Sequence, residues 1–198
     1  MLLYKINPPV MTKMKTANQF STRVAPLIET ISIELIPVLA RLLFGVTLLA
    51  FFWKSALTKL GDGLTGFWSP SAGAYAQIFP LKFESVSYDT SAMSFFDWSV
   101  VFLGTYAEFV LPVLIVIGLL TRLSAVGMII FIIVMSVVDV TGHGVEIGSL
   151  LDGSPSSLIP DQRLFWIFPL VVVLLQGPGR FSLDHLCLEN KRRRKKAS

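Results

Sequence analysis

The chain has 198 residues, of which 53% are hydrophobic and only 15% are charged. Its mean hydropathy of +0.67 and formal net charge of +4 are unlike those of a water-soluble domain and predict an integral membrane protein. At this length one helical bundle fits without a second soluble catalytic domain, so any chemistry would use residues of the bundle and its loops or belong to a partner.

Four apolar stretches predict transmembrane helices, because about 20 apolar residues are needed to cross the hydrocarbon core as a helix. The predicted spans cover about residues 36–57, 98–120, 123–140 and 163–176. The last span is short and reaches membrane thickness only if its flanks lie in the interface. None of the four alternates between apolar and polar residues as a barrel strand would. We therefore expect an all-α, polytopic membrane protein built as a four-transmembrane-helix bundle.

Lysine and arginine set the expected orientation. They cluster before the first span, at the turn after the second span and in the C-terminal tail, which places both termini in the cytoplasm. The predicted parts are a cytoplasmic N-terminal segment (1–30), a four-helix membrane domain (31–186) and a basic cytoplasmic tail (187–198). The tail is expected to contact anionic membrane lipids, and it lacks the interleaved aromatics and folded module that nucleic-acid binding requires.

Two ionisable residues lie inside the predicted spans, Arg41 in the first and Glu108 in the second. Charged groups at bilayer depth normally face the protein interior and find partners. Pro112 follows Glu108 by one helical turn and leaves the Glu108 carbonyl without its helical N–H partner. We expect these three residues to form an intramembrane polar site with Arg41 as the counter-ion of Glu108. The pair would either fix helix packing or present Glu108 to a proton or a ligand.

A second group of polar residues is predicted at the outer face. It consists of Lys54, Asp139, His143, Asp161 and Arg163. If the third span continued as a helix, Asp139, His143 and Glu146 would share one face at a spacing that can bind a metal. Two intervening glycines favour a fraying helix end instead. We therefore expect no metal site here, and no residue of the chain is predicted to be catalytic.

The chain contains one cysteine and two histidines. One cysteine forms neither an internal disulfide nor a dithiol, and the histidines lie on opposite predicted sides of the membrane, so haem ligation by both is excluded within one chain. The sequence therefore does not predict an autonomous redox enzyme.

Several motifs resemble the DoxX family across about residues 36–186. They are Arg41-Leu-Leu-Phe-Gly45, Glu108, Gly118-Leu-Leu-Thr-Arg122-Leu, Asp161-Gln-Arg-Leu-Phe-Trp166 and Gly177-Pro-Gly-Arg-Phe-Ser-Leu-Asp184, of which the last is the most specific. The resemblance implies a multi-pass protein of the bacterial inner (plasma) membrane that is linked to respiratory or oxidative-stress redox systems. Some relatives, called DoxD, are subunits of thiosulfate:quinone oxidoreductase, and others accompany metal-handling or peptide-modifying proteins. Arg41, Glu108 and Arg163 correspond to signature positions.

The expected function is that of an accessory membrane subunit in a redox, oxidative-stress or metal-stress system, working through membrane or periplasmic partner proteins. No cofactor is assigned from the sequence, and a quinone held in an apolar pocket of the bundle is the candidate. The alternative is a small transporter or channel-like protein, assembled as a homo-oligomer, that uses the site of Arg41 and Glu108. The sequence has no internal repeat of the kind that many transporters contain.

Overall fold

The computed structural model describes residues 25–26, 28–29, 31–63, 65–145 and 161–197. The helices are α1 (Ile31–Lys59), α2 (Ala72–Ile78), α3 (Pro80–Ser85), α4 (Phe95–Ile117), α5 (Thr121–Gly142), α6 (Asp161–Gln176) and α7 (Leu183–Ala197), with a 3₁₀ turn at Thr90–Ala92. Within these ranges no strand forms, and one isolated bridge joins Leu60 to Pro70. The predicted segment 1–30 lies largely outside the described residues.

In the described part of the chain, three helices, α1, α4 and α5, are long and apolar enough to cross a membrane. In lipid a helix satisfies its own backbone hydrogen bonds, which is why long apolar runs fold this way. The expectation of an all-helical, multi-pass membrane chain is thus confirmed at this level. The apolar part of α6, Gln162–Gln176, is shorter. At the C-terminus α7 runs through the predicted boundary at residue 187, so the basic tail continues an ordered helix.

Four helices share one apolar core. Its buried members are Phe44, Leu48 and Phe52 of α1, Ile115 of α4, Met128 and Ile132 of α5, and Leu170 of α6. Helix α1 contains a π-helical turn at Gly45–Leu49, where α1 approaches α4 closely. A Cβ atom added to Gly45 would lie 2.9 Å from Cγ2 of Val116, so glycine permits this approach.

The short helices α2 and α3 pack against one end of the bundle. Helix α4 begins there with a capping box, in which Ser94 Oγ accepts from the Asp97 N–H at 3.2 Å and Asp97 Oδ2 accepts from the Ser94 N–H at 2.9 Å. Lys82 of α3 donates to both carboxylate oxygens of Asp97, at 2.8 and 2.6 Å. The polar start of α4 is therefore tied to the α2–α3 segment, which places α2 beside the bundle interior.

The opposite end contains the tight turn between α4 and α5. Gly118 and Leu120 adopt left-handed backbone conformations, with φ of 72° and 48°. The first N–H groups of a helix lack partners within it. The Asp184 carboxylate of α7 accepts from the N–H groups of Leu120 and Thr121, at 2.8 Å each, and from the Thr121 hydroxyl at 2.7 Å. A distant acidic residue thus caps α5.

Candidate functional site

A cavity of about 350 Å³ lies between α1, α4, α5 and α6 near the α2–α3 end of the bundle. Its walls are mainly apolar and include Phe51, Val100, Leu111, Ile130, Phe131 and Val134. Among the described residues, four charged side chains also line it, Lys59, Glu108, Asp139 and Arg163. A few polar groups in an apolar concavity of this size are typical of a site for a small organic ligand.

Small residues leave the space between α4 and α5 open. Gly104 and Ala107 of α4 and Gly127 of α5 line the cavity. A Cβ atom added to Gly104 would make only an ordinary contact, 3.7 Å from Cδ1 of Ile78, whereas one added to Gly127 would lie 3.3 Å from Leu111. A large side chain at Gly104 or Ala107 would therefore occupy the cavity.

Lys59 and Glu108 form the first ion pair of the cavity. The Lys59 ammonium donates to Oε1 and Oε2 of Glu108 at 2.9 and 2.8 Å and to Ser55 Oγ at 2.7 Å. Both charged side chains are 3% exposed. Ser55 lies one helical turn before Lys59 on α1, so the two project from the same face. The pairing matters because a buried charge without a partner is strongly destabilising.

The expected pair of Arg41 and Glu108 does not form, and this prediction was wrong. The Arg41 guanidinium instead donates to four backbone carbonyls. The contacts run from Nε to Ile115 at 2.9 Å, from Nη2 to Val116 at 2.6 Å, and from Nη1 to Pro178 at 2.7 Å and Phe181 at 2.8 Å.

The reason is the axial position of the two residues. Ile115 and Val116 lie at the C-terminal end of α4, where carbonyls lack helical partners and carry partial negative charge. Glu108 lies about two turns, or about 10 Å, back along the axis from these carbonyls. Arg41 and Lys59 are about five turns apart on α1, at opposite ends of the bundle, and the Lys59 end is the one level with Glu108.

Lys59 was missed because the predicted span ended at residue 57, which left this lysine in a loop. The helix extends to Lys59. The spacing of Arg41 and Lys59 offers one signal in the sequence. Residues about five turns apart share a helix face, so Lys59 falls on the interior face that Arg41 indicates. Pro112, the third predicted member of the site, is buried within α4, and the helix continues through it.

Asp139 and Arg163 of the predicted outer cluster do come together. Arg163 Nη2 forms a salt bridge with Asp139 Oδ2, and Nη1 donates to Ser136 Oγ at 2.9 Å. Ser136 lies almost one turn before Asp139 on α5, so both present acceptors to the same guanidinium. The Arg163 Cζ atom lies 5.8 Å from the Trp166 ring centroid, within cation–π range. These contacts fix Arg163 against the cavity wall.

The other predicted members lie apart from this pair. Lys54 is exposed on α1. His143 Nε2 lies 3.0 Å from the Gln77 carbonyl, and this contact ties the end of α5 to α2. The side chains of Asp161 and Glu146 fall outside the described part of the chain. Among the residues that are described, no group of three or more His, Cys, Asp or Glu side chains could hold a metal ion.

Asp184 is the polar anchor at the other end of the bundle. Partial burial raises the pKa of its carboxyl group, but the hydrogen bonds from Thr121 and Leu120 and the charge of Arg41 outweigh this effect. The pKa of Asp184 therefore lies below its ordinary value of 3.8. Arg41 binds the carbonyls at the end of α4, and Asp184 binds the N–H groups at the start of α5. Charged side chains therefore stabilise both helix ends at this turn.

No family model, curated protein or solved structure matches the chain. Function is therefore inferred from the cavity, its two ion pairs and the chemistry of the residues that line it.

Proposed function

We propose that this chain is an accessory membrane subunit of a redox, oxidative-stress or metal-stress system and that its cavity binds a small amphipathic molecule of the quinone class. One observation carries the proposal: an apolar cavity of about 350 Å³, lined by two ion pairs, lies inside a bundle of membrane-crossing helices. A quinone ring and its tail require apolar walls, and its carbonyl oxygens require a few fixed donors.

The proposal also includes four membrane spans, cytoplasmic termini and a bacterial inner membrane. Helix α6 packs into the common core through Leu170, which supports a fourth span. The basic residues of α7 and the Arg122 turn lie at the end of the bundle opposite the cavity, which supports cytoplasmic termini under the positive-inside rule. The motifs that resemble the DoxX family support a bacterial inner membrane as the location. The basic stretch of α7 would contact anionic lipid headgroups there.

The proposal also includes a partner protein that supplies electrons to the quinone. Quinone chemistry exchanges electrons, and the single cysteine and two histidines of the chain do not make a redox centre. The electrons would therefore come from a membrane or periplasmic partner, and this chain would hold the quinone within its reach. Co-purification of such a partner with the quinone-loaded protein is the corresponding expectation.

The test compares ligand binding by three proteins reconstituted in lipid nanodiscs. Ala107→Phe places a phenyl ring in the cavity, whereas Val110→Phe adds the same ring to α4 at a position that is 47% exposed. Binding of decylubiquinone is measured by titration calorimetry. We expect binding by the wild-type protein and by Val110→Phe, and its loss in Ala107→Phe. Absence of binding by the wild-type protein, or equal binding by a folded Ala107→Phe protein, would contradict the proposal.

The alternative function is a small oligomeric transporter or channel-like protein. The buried pair of Lys59 and Glu108 favours it, because ionisable residues inside membrane helices often mark an ion or proton path. Arg41 has separate partners at the other end of the bundle, so the path would use Lys59 rather than Arg41. Proteoliposomes loaded with a pH-sensitive dye test this function, which requires a proton flux that Glu108→Gln abolishes.

A further inference from the structure

Arg163, which lines the cavity, has one buried donor without an acceptor in the described part of the chain. Arg163 is 7% exposed, and its Nε atom is the buried side-chain nitrogen that lacks a hydrogen-bond partner among the described residues. Its two other nitrogens are bound to Ser136 and Asp139. A buried N–H without an acceptor is costly, and native proteins usually satisfy such groups with water or a ligand.

The second cation of the cavity differs in this respect. The ammonium group of Lys59 contacts both oxygens of Glu108 and the hydroxyl of Ser55, and these contacts match its three N–H donors. An incoming ligand would have to displace a protein acceptor to bind Lys59. The Nε atom of Arg163 is buried and has no acceptor to lose, so it would donate to a ligand after neighbouring side chains move to open it to the cavity, and both present partners of the guanidinium would be kept.

The charges of the cavity cancel among the lining residues that the structure describes. Lys59 and Arg163 supply two positive charges, and Glu108 and Asp139 supply two negative charges in direct contact with them. An anionic ligand would lose its hydration without meeting an unbalanced positive charge, which is unfavourable in an apolar site. A neutral acceptor such as a carbonyl oxygen meets no such penalty.

We infer that Arg163 determines the specificity of the cavity by donating Nε–H to a carbonyl oxygen of a neutral ligand. This inference rests on the proposed function and deepens it by naming the recognised group. Asp139, Ser136 and the Trp166 ring hold the guanidinium in place before the ligand arrives. A donor fixed in this way selects for acceptor position as well as for polarity.

Arg163 also lines a second cavity of about 470 Å³, between α1 and α6, together with Thr47 and Trp166. The carbonyl oxygen is assigned to the first cavity because its walls are more apolar and include both ion pairs. Thr47→Trp places an indole ring in the second cavity only, because Thr47 does not line the first. The assignment predicts that this variant retains quinone binding, and loss of binding in Thr47→Trp would overturn it.

The main test replaces the donor while keeping the charge. Arg163→Lys retains a cation for Asp139 but has no Nε–H, and Arg122→Lys is the matched control at the turn between α4 and α5. The ligands are decylubiquinone and a decyl-substituted methoxybenzene ring without carbonyls. Arg163→Lys should weaken quinone binding about tenfold, the effect of one lost hydrogen bond. It should leave binding of the carbonyl-free ring unchanged, and Arg122→Lys should change neither affinity.

A measurement on the wild-type protein gives a test that does not depend on the folding of a variant. The C=O stretching band of ¹³C-carbonyl-labelled decylubiquinone should move to lower frequency on binding, because a hydrogen bond weakens the carbonyl bond. An unshifted band would overturn the inference. So would tighter binding of 4-decylbenzoate, an anion, than of the quinone, or equal quinone binding by folded Arg163→Lys.

The outcomes separate this inference from the proposed function. If the wild-type protein does not bind the quinone, both fail. If Ala107→Phe abolishes binding but Arg163→Lys does not weaken it, the quinone site stands and the role of Arg163 is wrong.

Discussion

Lys59, the last residue of α1, donates to both carboxylate oxygens of Glu108, at 2.9 and 2.8 Å, from the opposite wall of the cavity. The pair joins the end of one membrane-crossing helix to the middle of another. It holds α1 and α4 at one axial register, and it is one of two ion pairs in the mainly apolar walls of the cavity.

Removal of one member of this pair should destabilise the protein. Lys59→Met leaves Glu108 buried without a cation, and we expect a loss of about 3–5 kcal/mol in the free energy of unfolding. Reversible unfolding in mixed detergent micelles measures the change. Lys54→Met is the control, since Lys54 is exposed on the same helix and its loss should change stability by no more than about 0.5 kcal/mol. Equal stability of the two variants would contradict a structural role for Lys59.

Double-mutant cycles should distinguish the two cations of α1. We expect a coupling energy above about 1 kcal/mol between Lys59→Met and Glu108→Gln, because the two side chains are in direct contact. The cycle of Arg41→Met with Glu108→Gln should give a value within about 0.5 kcal/mol of zero, since Arg41 binds backbone carbonyls elsewhere. The same unfolding measurement serves both cycles, and a strong coupling of Arg41 to Glu108 would restore the pairing expected from the sequence.

The Asp184 anchor should make stability depend on pH in the acid range. Its pKa is lower in the folded protein than the ordinary value of 3.8, so folding favours the ionised carboxylate. This contribution is fully present above the unfolded pKa and is lost as the pH falls through the folded pKa. Unfolding measured between about pH 3 and pH 6 should show a smaller acid-induced loss of stability in Asp184→Asn than in the wild-type protein. Glu84→Gln, at an exposed position of α3 at the other end of the bundle, is the control, and superimposable profiles for the wild-type protein and Asp184→Asn would exclude this contribution.

Cys187 offers a direct test of topology. It is the single cysteine of the chain, and it is exposed on α7. A membrane-impermeant maleimide should label it in inside-out vesicles and not in intact spheroplasts, because the basic C-terminal region is expected on the cytoplasmic side. The control protein carries Cys187→Ser with Glu84→Cys on α3, which moves the thiol to the opposite end of the bundle and should reverse the pattern. Labelling of Cys187 from outside would invert the proposed orientation.

The helices could be predicted from the sequence because membrane insertion imposes a local rule. Apolar runs near residues 36–57, 98–120 and 123–140 must form helices in lipid, and they correspond to α1, α4 and α5. Of the site, Asp139 and Arg163 were predicted as members of one polar cluster, and the structure joins them. Glu108 was also identified as an interior group, because a carboxylate within an apolar span indicates a buried position.

The sequence by itself determined which residues had to find polar partners. A charged side chain within a long apolar segment is costly to bury unless it is paired, and both features are visible in the sequence. Only the tertiary structure decided the partners. The pairing of Glu108 with Lys59, and of Arg41 with the carbonyls of Ile115 and Val116, depends on how far α1 is shifted along α4. That shift is fixed where Gly45 of α1 packs closely against Val116 of α4, two residues far apart in the chain. No local pattern of residues contains that information.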